Sequence, residues 1–153
     1  MMTRSHSSPE EPGSLPALPS LISAMLSWRP LGPAARLALA SAFLISGIAK
    51  LLDFESARVE VAALGFGASA LVAAAVIATQ LGGSALFLSR RWCWLGAGIL
   101  AGFTIAATLI AHPFWNFEGP ERARQAATFF EHLGLVGGFV VAAILAHRGE
   151  PKR

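Results

Sequence analysis

Four stretches of this 153-residue chain are nearly free of charge, and each is about as long as a bilayer is thick: Ala34 to Leu52, Ala68 to Leu88, Trp92 to Ala111 and Ala126 to Ala146. A helix needs about 20 residues to cross a ~30 Å hydrocarbon core, so each stretch can span once. A spanning strand would need about half that length and would alternate polar with apolar residues, which these do not. Helices also satisfy every backbone N–H and C=O inside the segment, as lipid requires. The chain is 54% hydrophobic and 14% charged, and the runs lack the polar face that each helix of a soluble bundle would carry. The expected fold is an all-α membrane protein, an antiparallel bundle of four transmembrane helices over residues 28–147.

The basic residues set an expected orientation. With four spans, Arg4, Arg29, Arg36, Arg90, Arg91, Arg148, Lys152 and Arg153 fall on one side, and Lys50, Arg58, Arg122 and Arg124 on the other. Eight against four places both termini in the cytoplasm of a multi-pass inner-membrane protein. The formal charge of +3 then reflects a basic rim, and no nucleic-acid-binding motif accompanies it. Residues 1–27 are rich in Ser, Pro and Glu and read as a flexible cytoplasmic tail. Within it, Leu18, Leu21, Ile22, Met25 and Leu26 recur at helical spacing, which fits either a short helix on the inner leaflet or an unstructured lead-in. Residues 148–153 form a short basic tail.

In lipid, close packing of small residues supplies much of the association between helices. Each span carries a small-residue ridge at four-residue spacing: Ala38, Ala42, Ser46; Ala74, Ala78, Gly82; Gly98, Gly102, Ala106; and Gly134, Gly138, Ala142. The ridges are expected to face one another within the bundle, with a homo-oligomer seam as the other use of the same pattern.

Polar residues are informative by their depth. Lys50 at the end of the first span, His112 at the end of the third, and Glu131 with His132 early in the fourth converge on one membrane face, with Gln80 near the middle of the second span. Ionisable groups inside spans usually face the bundle interior or pair with one another, so Lys50 with Glu131 is the expected ion pair. Against them lies the stretch His112 to Arg122, "HPFWNFEGPER", where Pro113 stops a helix and Gly119-Pro120 turns the chain. Its aromatics suit a membrane-interface belt. They also suit a lid over a shallow pocket that receives a flat amphipathic molecule such as a quinone headgroup. In that reading Glu131 and His132 are the catalytic candidates, and Lys50, Gln80, His112, Trp115 and Asn116 bind substrate. No metal site is expected. The single cysteine, Cys93, excludes an intrachain disulfide and a Cys-x-x-Cys redox centre, and phosphate-binding Gly-rich loops are missing.

The segments "RLALASAFLISGIAKLLDF", "LGGSALFL" and "HPFWNFEGPERARQAATFFEHLGLVGG" resemble the first-helix, second-helix and third-to-fourth-helix signatures of the DoxX family of small four-helix bacterial inner-membrane proteins, over about Arg36 to Ala146. The resemblance implies a helical bundle acting as a subunit or partner of a quinone-linked oxidoreductase, with quinone as substrate and a redox enzyme or another membrane subunit as partner. The chain departs from the family where relatives commonly carry Glu, at Gln80, and where they carry Lys-Asn, at Glu131-His132. Gln80 does not titrate, so a proton-coupled role falls to Glu131 and His132. The alternative reading is a non-enzymatic membrane scaffold, or a carrier for a small apolar compound.

Overall fold

The computed structural model describes residues 19–148, all helices and connections without a strand among them. Most of the expected N-terminal tail and all but Arg148 of the basic tail lie outside the described residues. A first compact unit ends at Leu31 and contains helix α1, Ser20–Leu26, at the predicted helical spacing. Every residue of α1 is exposed.

The second unit contains the four long apolar helices: α2, Leu31–Leu52; α4, Ala70–Leu88; α5, Cys93–Ala111; and α6, Gly119–Arg148. At 1.5 Å per residue they are about 33, 28, 28 and 45 Å long, enough to cross a bilayer. Their outward faces carry large apolar side chains, such as Ile45, Leu71, Trp94, Val141 and Leu145, more than half exposed. Lipid is the solvent that accommodates such faces, and the protein is an integral membrane protein.

Three boundaries differ from the sequence reading in informative ways. Helix α6 begins at Gly119 rather than near Ala126, because Gly119 takes φ 58° and Pro120 starts the helix instead of merely turning the chain. Its first two turns carry Glu121, Arg122, Arg124 and Gln125, and its ~45 Å length exceeds the hydrocarbon core. An unpredicted amphipathic helix, α3, Phe54–Val61, follows α2. The Asp53 carboxylate caps it by accepting from the Ser56 N–H at 3.0 Å, and Ala57 and Val61 pack against Ala73 and Ile77 of α4. A π turn, Ala62–Phe66, continues α3 and ends where Gly65 and Gly67 take φ of 89° and 64°, conformations that glycine adopts without strain. The Arg58 guanidinium donates to the Ala68 carbonyl at 3.0 Å and ties this connection back to α3.

On α4 and α5 the packing faces lie one and two residues away from the expected ridges, whereas on α6 Gly138 and Ala142 pack as expected. A Cβ on Gly82, Gly98, Gly102 or Gly134 would meet nothing within 4 Å, whereas one on Gly96 would fall 2.1 Å from the Phe87 backbone nitrogen. The closest helix approach is therefore Gly83 and Phe87 of α4 against Leu100 and Gly96 of α5. As one number rises by four the other falls by four, which is the signature of antiparallel neighbours. Helix α5 contacts α6 along its length in the same way, through Thr108 with His132 and His112 with Gln125.

Helix α2 is held differently, by long side chains rather than by close backbone approach. Phe43 sets its ring edge-on to Phe103 at 6.3 Å and Phe139 at 5.5 Å, and Leu39 meets Gly138. Phe87 stacks edge-on against Phe139 at 5.0 Å, closing a core that includes Ala40, Cys93, Ala97 and Leu100. At Gly47 the Leu81 and Gln80 side chains of α4 come close to α2. The spacing leaves room between α2 and the other three helices.

Candidate functional site

That room is a cavity of about 510 Å³, within the range typical of small-molecule sites. Helix α2 lines it with Phe43, Ser46 and Lys50; α3 and its π turn with Glu60, Leu64 and Phe66; α4 with Val76 and Gln80; α5 with Phe103, Thr104 and Ile110; α6 with His132 and Leu135. His112, which closes α5, completes the wall. Apolar surface dominates, and the polar groups fall into two clusters.

The first cluster joins α2, α3 and α4. Lys50 Nζ donates to Ser46 Oγ at 3.0 Å and pairs with the Glu60 carboxylate at 2.8 Å. Gln80 Nε2 donates to the same Ser46 Oγ at 3.2 Å, while Gln80 Oε1 has no partner among the described residues. Gln80 is 6% exposed. A buried amide oxygen left unpaired costs about 1–3 kcal/mol, so an unpartnered one on a cavity wall is the feature that most demands a ligand.

The second cluster joins α5 and α6. His112 Nδ1 lies 2.7 Å from Gln125 Oε1, and His132 Nδ1 lies 2.8 Å from Thr108 Oγ1. The two imidazole rings meet edge to face with centroids 5.3 Å apart. Gln125 in turn donates to Glu121, whose carboxylate also takes both nitrogens offered by Arg124. No third His, Cys, Asp or Glu groups with the histidine pair among the described residues.

The structure therefore places Lys50, Gln80, His112 and His132 on one cavity. It does not bring Glu131, Trp115 or Asn116 there. Glu131 is exposed and makes no ion pair among the described residues; one residue along a helix is a rotation of ~100°, which turns it away when His132 faces in. The expected Lys50–Glu131 pair is replaced by Lys50–Glu60. Trp115 and Asn116 sit in the 3₁₀ turn Phe114–Asn116, and Trp115 is half exposed against Phe114 and Phe129. The segment over the cavity is instead the α3 π turn, through Leu64 and Phe66, rather than the His-Pro-Phe-Trp loop.

Several site residues escaped the sequence reading: Ser46, Glu60, Thr104, Thr108 and Gln125. A signal was present for four of them. Ser46 and Lys50 lie four residues apart, Thr104, Thr108 and His112 continue at the same interval, and Gln125 and His132 are separated by seven. In helices otherwise apolar all round, polar residues at these spacings share one face. Glu60 had no such signal, because its helix is short and mixed in character.

The DoxX family model matches residues 33–113, from the start of α2 through the end of α5. Helix α6, with His132, lies beyond the matched range. Comparison with curated proteins and with solved structures returned no match.

Proposed function

The chain belongs to the DoxX family, and from that premise we propose that it is a bacterial inner-membrane component of a quinone-linked redox system, holding a quinone-type headgroup in the cavity between α2 and the other long helices. The observation that carries the reading is the nearly buried, unpartnered amide of Gln80 on an otherwise apolar cavity wall. A flat ring with polar atoms at opposite ends suits this wall: Lys50 and Gln80 serve one end, His112 and His132 the other, and the apolar sides take the ring faces. His132 keeps the proton-transfer role expected of it. Glu131, turned outward, does not share it. Electrons come from a partner redox enzyme, and this chain contributes the headgroup site.

The test is substrate-dependent quinone reduction in membranes from a strain lacking the gene, compared with the same strain carrying the wild-type gene, Gln80→Leu or Lys50→Met at matched protein levels. Gene-dependent reduction that falls at least about tenfold in both variants supports the reading, since each removes a polar contact to the headgroup. Reduction unchanged by deletion, with headgroup binding retained by the purified protein, would assign the chain to carriage of an apolar compound instead.

A further inference from the structure

Resting on that reading, we infer that the resting cavity is built for the hydroxyl-bearing form of its ligand, an aromatic diol of the quinol type, and admits the corresponding quinone only together with a proton. The hydrogen-bond directions lead there. The Glu121 carboxylate can only accept, so the Gln125 group facing it at 2.7 Å is its NH₂. Gln125 therefore turns its oxygen to His112, and the hydrogen between them belongs to His112 Nδ1. On the neighbouring helix, Thr108 Oγ1 lies 2.6 Å from the Thr104 carbonyl oxygen, a separation that requires the hydroxyl hydrogen between them. With that hydrogen committed, Thr108 Oγ1 accepts from His132 Nδ1. A neutral imidazole carries one N–H. Both rings line the same cavity, and each leaves Nε2 as an acceptor without a protein partner among the described residues.

Two acceptors side by side call for a ligand that donates. A quinol hydroxyl supplies the hydrogen, whereas a quinone carbonyl would set lone pair against lone pair. The mismatch is relieved when an imidazole gains a proton at Nε2 and donates it to the carbonyl. The other groups near the rings are paired, exposed or non-ionising. From α2 and α3, Lys50 and Glu60 pair with each other; from α6, Glu121 pairs with Arg124, and Glu131 is exposed. Helix α4 contributes Gln80, and α5 contributes Thr104 and Thr108, none of which titrates. Imidazole is the side chain whose charge ordinarily changes between about pH 5 and 8.

The experiment uses the full-length protein in detergent under anaerobic conditions, with a decyl-substituted benzoquinone and its quinol as probes. Calorimetric titration in two buffers of different ionisation enthalpy counts the protons taken up. At about pH 8, above the imidazole range, the quinol is expected to bind about tenfold more tightly than the quinone, from the cost of one unpaired acceptor. Quinone binding takes up about one proton and quinol binding takes up none. As the pH is lowered through the imidazole range the preference narrows. His132→Asn and His112→Asn, tested separately, reduce both the preference and the uptake. Binding of both probes with equal affinity and no proton uptake would overturn the inference while leaving the cavity reading in place. Failure of both probes to bind the folded protein would overturn the cavity reading, and this inference with it.

Discussion

Replacing Gly96 by alanine puts a methyl carbon 2.1 Å from the Phe87 nitrogen, 2.5 Å from its Cα and 2.7 Å from the Gly83 carbonyl oxygen. All three are backbone atoms of α4, so no rotamer change relieves the clash. Ordinary non-bonded contact is about 3.5 Å, which leaves a deficit of about 1.4 Å at the tightest pair. Helix α4 has to retreat from α5 by something near 1 Å. A gap of that size forfeits a quarter to a half of the dispersion energy across an interface that includes Phe87, Ala97 and Leu100. With some tens of contacts each worth ~0.1–0.2 kcal/mol, the expected loss is about 3 kcal/mol. Gly102→Ala is the control: its methyl group meets nothing within 4 Å, and its cost should be negligible. Thermal unfolding in a single detergent, followed by helical circular dichroism and by maleimide labelling of Cys93, measures both variants. Cys93 is 1% exposed and should stay unlabelled until α4 and α5 separate. The packing scheme is wrong if Gly96→Ala melts with the wild type, or if Gly102→Ala is as damaging as Gly96→Ala.

Three further outcomes are expected. A double-mutant cycle on Lys50 and Glu60 should give a coupling of about 1 kcal/mol, because Glu60 remains half exposed although Lys50 is mostly covered; zero coupling would show that the 2.8 Å pair does not fasten α2 to α3. Gln80→Leu should keep the stability of the unliganded protein or raise it by up to about 1 kcal/mol, since it removes an unpaired acceptor at the loss of one hydrogen bond, while abolishing headgroup binding; a large destabilisation would mark Gln80 as structural. Topology reporters fused after Arg90 and at the C-terminus should report cytoplasm, and those after Glu55 and Gly119 the outer side, from the distribution of basic residues; a Glu55 fusion facing the cytoplasm would invert the orientation.

The spans were legible because an apolar run is a property of the chain taken in order, and the predicted runs differ from α2, α4 and α5 by three residues or fewer at either end. The rotational settings of α4 and α5 as packing faces were not. Gly82 and Gly83 are adjacent, and in a span apolar on every side nothing local decides which of two faces ~100° apart meets its neighbour. The structure chooses Gly83, and with it Gly96 rather than Gly98 or Gly102. Lys50, Gln80, His112 and His132 could be singled out because polar groups within a span usually face inward. Assigning Lys50 its partner required the position of α3, whose eight residues leave no long apolar signature. Trp115 drew attention as a large aromatic beside a proline, yet its setting is the common one for an interfacial ring, packed on other aromatics with one face outward.

The different ways in which α2 and α5 are attached imply opposite tolerances to sequence change. Where α4 meets α5 backbone to backbone, substitutions that add volume are penalised and the helices have no freedom to adjust. Helix α2 stands off on Phe43 and Leu39, so truncating those side chains should be harmful, while changes of shape at constant volume are absorbed by a small shift of the whole helix. Changes in the shape of Phe43 or Leu39 can therefore reshape the cavity without disturbing the α4–α5 pair. A lineage shifting from one ligand to a bulkier one would be expected to accumulate its substitutions on α2 first, and a saturation library scored for retained folding should show that asymmetry directly.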